Sequence, residues 1–161
     1  MHAPAQIEAK SLSDYLAVMS RGVFEPGLNW SVVDAKWPGI TEAFEGFDPF
    51  RVAAYTPEDV ERLMLDPHVI RNRRKIDAVI HNAGEMLSLE GAAGGFKSYL
   101  RSKGSYEELA NDLKSRFHFL GDSGVYHFLY SVKEPVPQWE EWMTQHPGSH
   151  AGRSGHAGHP R

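Results

Sequence analysis

A glycine-bracketed turn, Gly121-Asp122-Ser123-Gly124, lies between two apolar stretches and has residue types suited to binding chemistry. Small residues let several backbone N–H groups converge on one anion, and a helix that begins at such a turn adds the positive end of its dipole. A phosphate fits that description, with the hydroxyl of Ser123 as an additional donor. The same pattern also occurs in plain connecting turns, so the turn alone leaves both interpretations open.

Cations are concentrated upstream of this turn, in the segment Arg71-Asn72-Arg73-Arg74-Lys75. Cations in the first turn of a helix oppose its dipole at a cost of about 0.3–1 kcal/mol for each charge, and a bound phosphate would offset that cost. Alternatively, the long side chains cover apolar surface with their stems while their charged ends stay in water. The cluster is therefore a candidate phosphate-contacting surface and equally a candidate solvated surface.

An aromatic residue and a carboxylate flank a break in the helical pattern, where Glu25-Pro26-Gly27 precedes Leu28-Asn29-Trp30. Enzymes that act on a nucleic-acid base take it out of the duplex and hold it between aromatic or apolar surfaces. Trp30 is a candidate for such a surface. A tryptophan just inside a helix also commonly packs into a core, and the sequence does not separate these two roles.

Helices must position these residues, because apolar side chains recur at helical spacing through most of the chain and no segment is predicted to form a strand. Residues 67–90 are predicted to form the longest helix, with Asp66 as N-cap, Pro67 as first residue and one face in the core. A shorter helix is predicted to end at Pro38-Gly39, and another to begin at Thr41. Further helix starts are indicated at Ser11, Asp48, Thr56 and Ser105. We therefore expect an all-α fold.

The chain of 161 residues is 41% hydrophobic, has a formal net charge of −4 and contains no cysteine. This length suits one core, and the lack of cysteine excludes disulfides and thiolate metal ligands. No apolar run approaches the roughly 20 residues that span a bilayer. We predict a cytoplasmic monomer without cofactor, metal or membrane contact. Its helical domain would cover residues 11–145, between a flexible segment 1–10 and a disordered Gly/His-rich tail 146–161.

Two segments resemble parts of a known family. The DNA-3-methyladenine glycosylase I family has a segment similar to residues 27–83, GLNWSVVDAKWPGITEAFEGFDPFRVAAYTPEDVERLMLDPHVIRNRRKIDAVIHNA, and a later hairpin segment similar to residues 116–130, RFHFLGDSGVYHFLY. The elements GLxW, FDP, VAA, DVERL, IRNRxKI and xNA occur in order at matching spacing. The resemblance implies a single all-α domain of the helix–hairpin–helix DNA glycosylase type, which bends duplex DNA, flips a damaged base and hydrolyses its glycosidic bond.

Carried over by position, the resemblance implies that the partner is damaged duplex DNA. It implies that Trp30 and Tyr126 line the base pocket and that Leu28 lies near the DNA where the base leaves. The DNA-binding candidates are the hairpin residues and the cations: Gly121, Asp122, Ser123, Gly124, Arg71, Arg73, Arg74 and Lys75.

Three carboxylates are candidates for catalysis. Glu25 is the nearest one to Trp30 in sequence. Glu140 and Glu141 follow the hairpin at about the distance where many helix–hairpin–helix glycosylases place a catalytic aspartate. Any of these groups could stabilise the positive charge that develops as the glycosidic bond breaks, or orient water. For Glu140 and Glu141, solvated surface charge beside a packed Trp139 is the alternative.

The sequence departs from the family pattern in its metal ligands and in one pocket residue. The family's N-terminal and C-terminal zinc ligands have no counterpart here, and its pocket carboxylate falls on Gly22. We therefore expect a shortened, zinc-free relative. The alternative function is that of a non-catalytic DNA-binding or interaction protein on the same scaffold.

Overall fold

The computed structural model describes residues 5–147, which form helices and connecting turns without any strand. The helices in chain order are α1 (Leu12–Phe24), α2 (Trp30–Ala43), α3 (Pro49–Ala53), α4 (Pro57–Leu65), α5 (Arg73–Ala93), α6 (Phe96–Leu100), α7 (Tyr106–Arg116), α8 (Asp122–Ser131) and α9 (Trp139–Gln145). A 3₁₀ turn, Glu45–Phe47, separates α2 from α3. The all-α prediction is confirmed. None of the described helices is long and apolar enough to cross a membrane.

Helix α5 is the centre of the fold and contacts α1, α3, α4 and α6. Its side chains Ile76, Val79, Ala83 and Met86 recur at helical spacing and are fully buried. Burying a large aliphatic side chain stabilises the native state by about 1.5–3 kcal/mol relative to leaving it exposed. The predicted apolar face of this helix is therefore confirmed, and it holds the other helices in place.

Four of the predicted helix starts, at Ser11, Asp48, Thr56 and Ser105, have the expected caps. The hydroxyl oxygens of Ser11, Thr56 and Ser105 accept hydrogen bonds from the backbone N–H three residues later, at 3.3, 3.3 and 3.2 Å. Each cap satisfies an N–H group that has no partner within its own helix and is worth about 1 kcal/mol. Hydroxyl residues therefore fix where α1, α4 and α7 begin.

The predicted start of the longest helix is wrong by about two turns. Asp66 is the C-cap of α4, and its carboxylate accepts a hydrogen bond from the N–H of His68 at 2.8 Å, which closes a turn. Helix α5 begins only at Arg73, after Asn72, whose side-chain oxygen accepts from the N–H of Lys75. An aspartate followed by proline suits a turn as well as a helix start, and the turn prevails here.

The predicted break at Pro38-Gly39 is also wrong, because α2 runs through both residues to Ala43. A proline inside a helix removes one backbone hydrogen bond, but Ile40 beyond it is fully buried in the core. Gly39 is required by packing. A Cβ atom at this position would lie 2.7 Å from the Cβ of His68, so α2 passes very close to the turn between α4 and α5. The burial of α2 in the core therefore outweighs the local tendency of Pro38 and Gly39 to end a helix.

The turn between α7 and α8 is displaced from its predicted position. Phe117 is the C-cap of α7 and Gly121 is the N-cap of α8, so residues 117–121 form the turn. The predicted turn residues Asp122, Ser123 and Gly124 instead make up the first turn of α8. Phe119 in the turn has a φ of 58°. Phe119 is therefore a non-glycine residue held in the left-handed conformation.

Residues before α1 lie along the end of α8. The N–H of Ile7 donates to the carbonyl of Ser131 at 2.8 Å, and the amide of Gln6 donates to the carbonyl of Tyr130 at 2.9 Å. The proposed division into residues 1–10, 11–145 and 146–161 stays a prediction. His146 and Pro147 are described, and the remainder of the predicted Gly/His-rich tail lies outside the described residues.

Candidate nucleic-acid interface

The start of α5 joins the two segments that the sequence marks for nucleic-acid binding. The Nζ of Lys75 donates to the carbonyl of Pro26 at 3.0 Å, in the break before Trp30. The guanidinium of Arg74 lies over the ring of Phe119, 5.7 Å from its centroid, in the turn between α7 and α8. Adjacent side chains of one helix therefore hold the two segments next to each other.

The four clustered cations have different surroundings in the structure. Arg73 forms an ion pair with Glu61, and Lys75 binds Pro26. Arg74 and Arg71 are exposed, and Arg71 has no ion pair within the described part of the chain. Arg73 and Lys75 therefore stabilise the fold, and Arg71 and Arg74 present charge to solvent.

Asn82 holds the turn between α7 and α8 in place. Its side-chain oxygen accepts from the N–H of His118 at 2.8 Å, and its amide donates to the carbonyl of the same residue at 3.1 Å. Asn82 is 1% exposed. One side chain on α5 thus satisfies both polar groups of a turn peptide, and the turn is fixed before any ligand arrives.

A stacked histidine pair adds to this support. The rings of His81 and His118 are parallel within 6° with centroids 3.6 Å apart. The Nε2 of His81 lies 2.9 Å from the carbonyl of Arg116 at the end of α7. Burial, and then the neighbouring His81, lower the pKa of His118. The pair is therefore most stable with His118 neutral.

The start of α8 has the backbone geometry of an anion site but carries an acidic side chain. Gly121 as N-cap provides no side-chain hydrogen bond to the first turn, and the positive end of the helix dipole lies there. The carboxylate of Asp122 occupies the first helical position and pairs with the Nζ of Lys114 at 2.5 Å. The ion pair offsets the repulsion that Asp122 would exert on a phosphate.

Glu25, the carboxylate candidate nearest to Trp30, is engaged in an ion-pair network. It is the C-cap of α1, and its carboxylate accepts from the Nε of Arg21 at 3.0 Å. The same guanidinium pairs with Asp34 at 2.5 Å. A carboxylate whose charge is already matched by a cation is a weaker stabiliser of a second positive charge.

Trp30 and Leu28 lie on either side of Asn29, at the start of α2. Both side chains are half-buried. The side-chain oxygen of Asn29 accepts from the N–H of Ser31 at 2.9 Å and caps the helix. This cap fixes the orientation of the first turn, so Trp30 projects from a defined position. Its predicted role in a base pocket stays a prediction.

Tyr126 and the two late carboxylate candidates meet at α9. Tyr126 is buried, and its hydroxyl donates to the carbonyl of Pro137 at 2.7 Å. Its ring contacts Trp139 and Trp142 at centroid distances of 5.2 and 5.0 Å. Burial, with Tyr130 and Glu140 nearby, raises the pKa of Tyr126. The hydroxyl therefore anchors the segment leading into α9, and its predicted contact with a base stays a prediction.

Glu140 and Glu141 are exposed in the first turn of α9. Neither forms an ion pair within residues 5–147. Acidic residues near a helix N-terminus stabilise the helix by about 0.3–1 kcal/mol through its dipole. These positions suit helix-stabilising surface charge, and the catalytic role predicted for them has no additional structural support.

A cleft of about 640 Å³ that was not predicted lies between α6, the start of α7 and residues 134–136. Glu134 on its wall is buried and accepts from the Nε and a terminal nitrogen of Arg101, at 3.0 and 3.2 Å. This two-point ion pair ties the end of α6 to the segment after α8. None of the predicted site residues lines the cleft.

The methyladenine glycosylase family model matches residues 9–120. The chain belongs to this family. The matched region runs from just before α1 to the turn after α7, so it contains Trp30, the cation cluster, Asn82 and Phe119. Helices α8 and α9 lie beyond the matched residues.

Named relatives and solved structures agree with this membership. The chain is 32% identical over 126 residues to DNA-3-methyladenine glycosylase 1 of Escherichia coli K12, covering 65% of this chain and 67% of the relative. It is 29% identical over 129 residues to DNA-3-methyladenine glycosylase of Haemophilus influenzae, covering 67% and 70%.

Structural similarity extends over a larger share of the chain than the sequence matches do. A variant of 3-methyladenine DNA glycosylase I in complex with 3-methyladenine matches with a TM-score of 0.68 and 27% identity, covering 80% of this chain and 78% of the other. The Staphylococcus aureus 3-methyladenine DNA glycosylase I matches with a TM-score of 0.67 and 26% identity, covering 81% and 78%. The helical scaffold of the family is therefore retained.

The zinc site expected of this family does not fit the residues of this chain. The sequence has no cysteine, and no group of three or more His, Cys, Asp or Glu side chains in the described region could hold a metal ion. Position 22, where the family's pocket carboxylate would fall, is a helical glycine of α1. A Cβ atom there would meet nothing within 4 Å, so a side chain at this position would have room.

Sequence reasoning missed two residues of the interface. Asn82 belongs to the xNA element, but nothing in its spacing indicates that it would bind both sides of His118. Phe119 lies in an apolar run that resembles core sequence, yet it is 45% exposed. An aromatic residue two positions before Gly121 was the signal that could have identified Phe119.

Proposed function

We propose that this protein is a DNA glycosylase that flips alkylated bases such as 3-methyladenine out of duplex DNA and removes them by hydrolysis, as the first step of base-excision repair. The observation that carries this proposal is the family match over residues 9–120. The geometry supports it, because α5 holds the break before Trp30 and the turn before α8 together on one exposed, cationic side.

In this proposal the DNA backbone contacts Arg71, Arg74 and the first turn of α8. Leu28, at the tip of the break before α2, occupies the space that the flipped nucleotide leaves. Trp30 then forms one wall for the base, because an aromatic ring next to a cationic alkylated purine gains both stacking and cation–π energy. Tyr126 and α9 would close the far side of the pocket.

Hydrolysis of an alkylated adenine needs modest catalytic help. The bond between the sugar C1′ and the base nitrogen breaks, and its electron pair neutralises the positive charge of the alkylated base. Water adds to C1′ and releases a proton. Because the base already carries the charge of a good leaving group, holding it in a desolvated aromatic pocket supplies much of the rate acceleration.

Three carboxylates are candidates for the catalytic role. Glu25 is nearest to Trp30 in sequence, but Arg21 and Asp34 share its ion-pair network. We propose that Glu25 acts mainly by electrostatic stabilisation of the developing sugar cation, at a strength reduced by Arg21. Glu140 and Glu141 remain proposed alternatives. The expected partner is damaged duplex DNA, and we propose that the protein acts as a cytoplasmic monomer.

Two observations favour a second candidate function, a DNA-binding protein without catalysis. Gly22 stands at the position of the family's pocket carboxylate, and Glu25 is already paired with Arg21. Such a protein would bind damaged DNA through the same surface and protect or mark the lesion.

Release of free 3-methyladenine from alkylated duplex DNA distinguishes the two functions. Purified wild-type protein should release the base, Trp30→Ala should release much less, and Glu25→Gln should retain part of the activity. Gly22→Glu is an informative addition, since the position has room and glutamate has a higher helix propensity than glycine. DNA binding without release by the wild type, together with release by Gly22→Glu, would establish the non-catalytic function.

A further inference from the structure

Phe119 is an exposed aromatic residue held in a costly conformation. It is 45% exposed, and its φ of 58° lies in the left-handed region. A non-glycine residue in a sparsely populated backbone region costs on the order of 1–3 kcal/mol and persists only where its surroundings impose it. Asn82 imposes it by binding both polar groups of the preceding residue, His118.

Arg74 covers one face of this ring. Its guanidinium carbon lies 5.7 Å from the ring centroid, and no carboxylate pairs with Arg74 in the described structure. A guanidinium that lies over an aromatic ring without a carboxylate partner has N–H donors that match two oxygens of a phosphate. The cation–π contact also restricts the side chain of Arg74 before any ligand binds.

The arrangement determines what kind of contact the pair can make. A wedge between two bases needs both faces of its ring, and one face of Phe119 is taken by Arg74. One apolar face and one donor edge remain side by side. A deoxyribose with its phosphate presents an apolar face beside an anionic group, so its chemistry matches the pair better than a base step does.

We infer that Phe119 and Arg74 form one composite contact for a deoxyribose-phosphate unit of the DNA strand. The ring packs against the sugar and the guanidinium binds the phosphate. The inference rests on the proposed function for the identity of the partner, and it adds a residue that the family's position-by-position comparison had not marked. Helix α8 begins three residues later, so the positive end of its dipole lies near the pair.

Phe119→Gly distinguishes a contact with DNA from a purely structural role, because it removes the ring without destabilising the turn. Glycine adopts a positive φ without steric cost, so the variant should be as stable as the wild type or more stable. It should bind duplex DNA about fivefold to tenfold more weakly, the lower part of the range for aromatic contacts with nucleic acid. Affinity is measured with a labelled duplex containing a tetrahydrofuran abasic site, and stability by urea unfolding.

Two further variants complete the design. Arg74→Gln should weaken binding and reduce the slope of log affinity against log salt by about 0.9, the loss of one phosphate contact, whereas Phe119→Gly should leave that slope unchanged. Phe50→Ala is the matched control, because Phe50 is 69% exposed at the start of α3 and has no cation over its ring in the described structure. It should bind as the wild type does.

The outcomes separate this inference from the proposed function. Wild-type binding together with unchanged affinity in Phe119→Gly overturns the composite contact alone. If Phe119→Gly also reduces the slope of log affinity against log salt, its loss of DNA affinity comes from phosphate contacts, and the sugar contact is overturned. A correctly folded wild type that binds no duplex overturns the proposed function and the composite contact together.

Discussion

Replacing Asn82 with alanine should destabilise the protein and lower its affinity for DNA, because both effects follow from the loss of the same two hydrogen bonds. Asn82 is 1% exposed and binds the N–H and the carbonyl of His118 at 2.8 and 3.1 Å. Two hydrogen bonds at a net value of about 0.5–1.5 kcal/mol each give about 1–3 kcal/mol. At about 2–4 °C for each kcal/mol in a chain of this size, a central loss of about 2 kcal/mol lowers Tm by about 4–8 °C.

Asn111→Ala is the matched control for this variant. Asn111 lies on the exposed side of α7, and alanine has the higher helix propensity, so the control should be neutral or slightly stabilising. Urea unfolding followed by far-ultraviolet circular dichroism gives both free energies of unfolding. A loss below about 0.5 kcal/mol for Asn82→Ala would refute the reasoning, since one net hydrogen bond is worth at least that much.

The other predictions concern pH, packing and charge. Burial and the neighbouring His81 lower the pKa of His118 below its ordinary value of 6.5. As the pH falls through 6.5, the unfolded chain therefore binds more protons than the native state does. This difference destabilises the native protein below pH 6.5 and is absent well above it. Urea unfolding below pH 6.5 and well above it gives the free energy of unfolding of the wild type and of His118→Gln. This free energy should depend less on pH in the variant. Tyr126→Phe should lose about 1 kcal/mol, seen as a lower urea midpoint, because the ring is kept while the 2.7 Å hydrogen bond to Pro137 is lost. Asp122→Asn should raise duplex affinity and steepen its salt dependence by about one phosphate contact, because it frees the Nζ of Lys114; equal slopes would contradict the role assigned to Asp122.

The class of fold was predictable because helical periodicity and hydroxyl caps are local signals. Ser11, Thr56 and Ser105 cap the helices that follow them, and each acts within four residues of its own position. The apolar spacing in α5 was equally reliable, because a helix that buries one face must repeat its apolar residues at that period.

The errors occurred where distant packing overrides local preference. Helix α2 continues through Pro38 because Ile40 gains a place in the core, and Asp66 closes a turn because α5 starts two turns later, at the cap provided by Asn72. A single sequence holds no information about the partner that each residue will meet across the fold.

The candidate site was predictable in its segments and not in its contacts. The sequence marked the cation cluster, the break before Trp30 and the turn before α8. It did not show that Arg73 would pair with Glu61, because that contact joins residues twelve positions apart on different helices. The role of Asn82 in fixing His118 spans 36 positions and needed coordinates as well.

Helix α5 sets the separation between Leu28 and Phe119, since adjacent residues of its first turn, Arg74 and Lys75, hold the two segments. The distance between the two segments is therefore fixed by the helix. A duplex that touches both segments must bend to match this distance, and the elastic work of bending depends on base sequence. Lesions beside flexible pyrimidine–purine steps would then be engaged more readily than lesions within stiff A-tracts. A preference among sequence contexts would arise without any side chain reading the edge of a base.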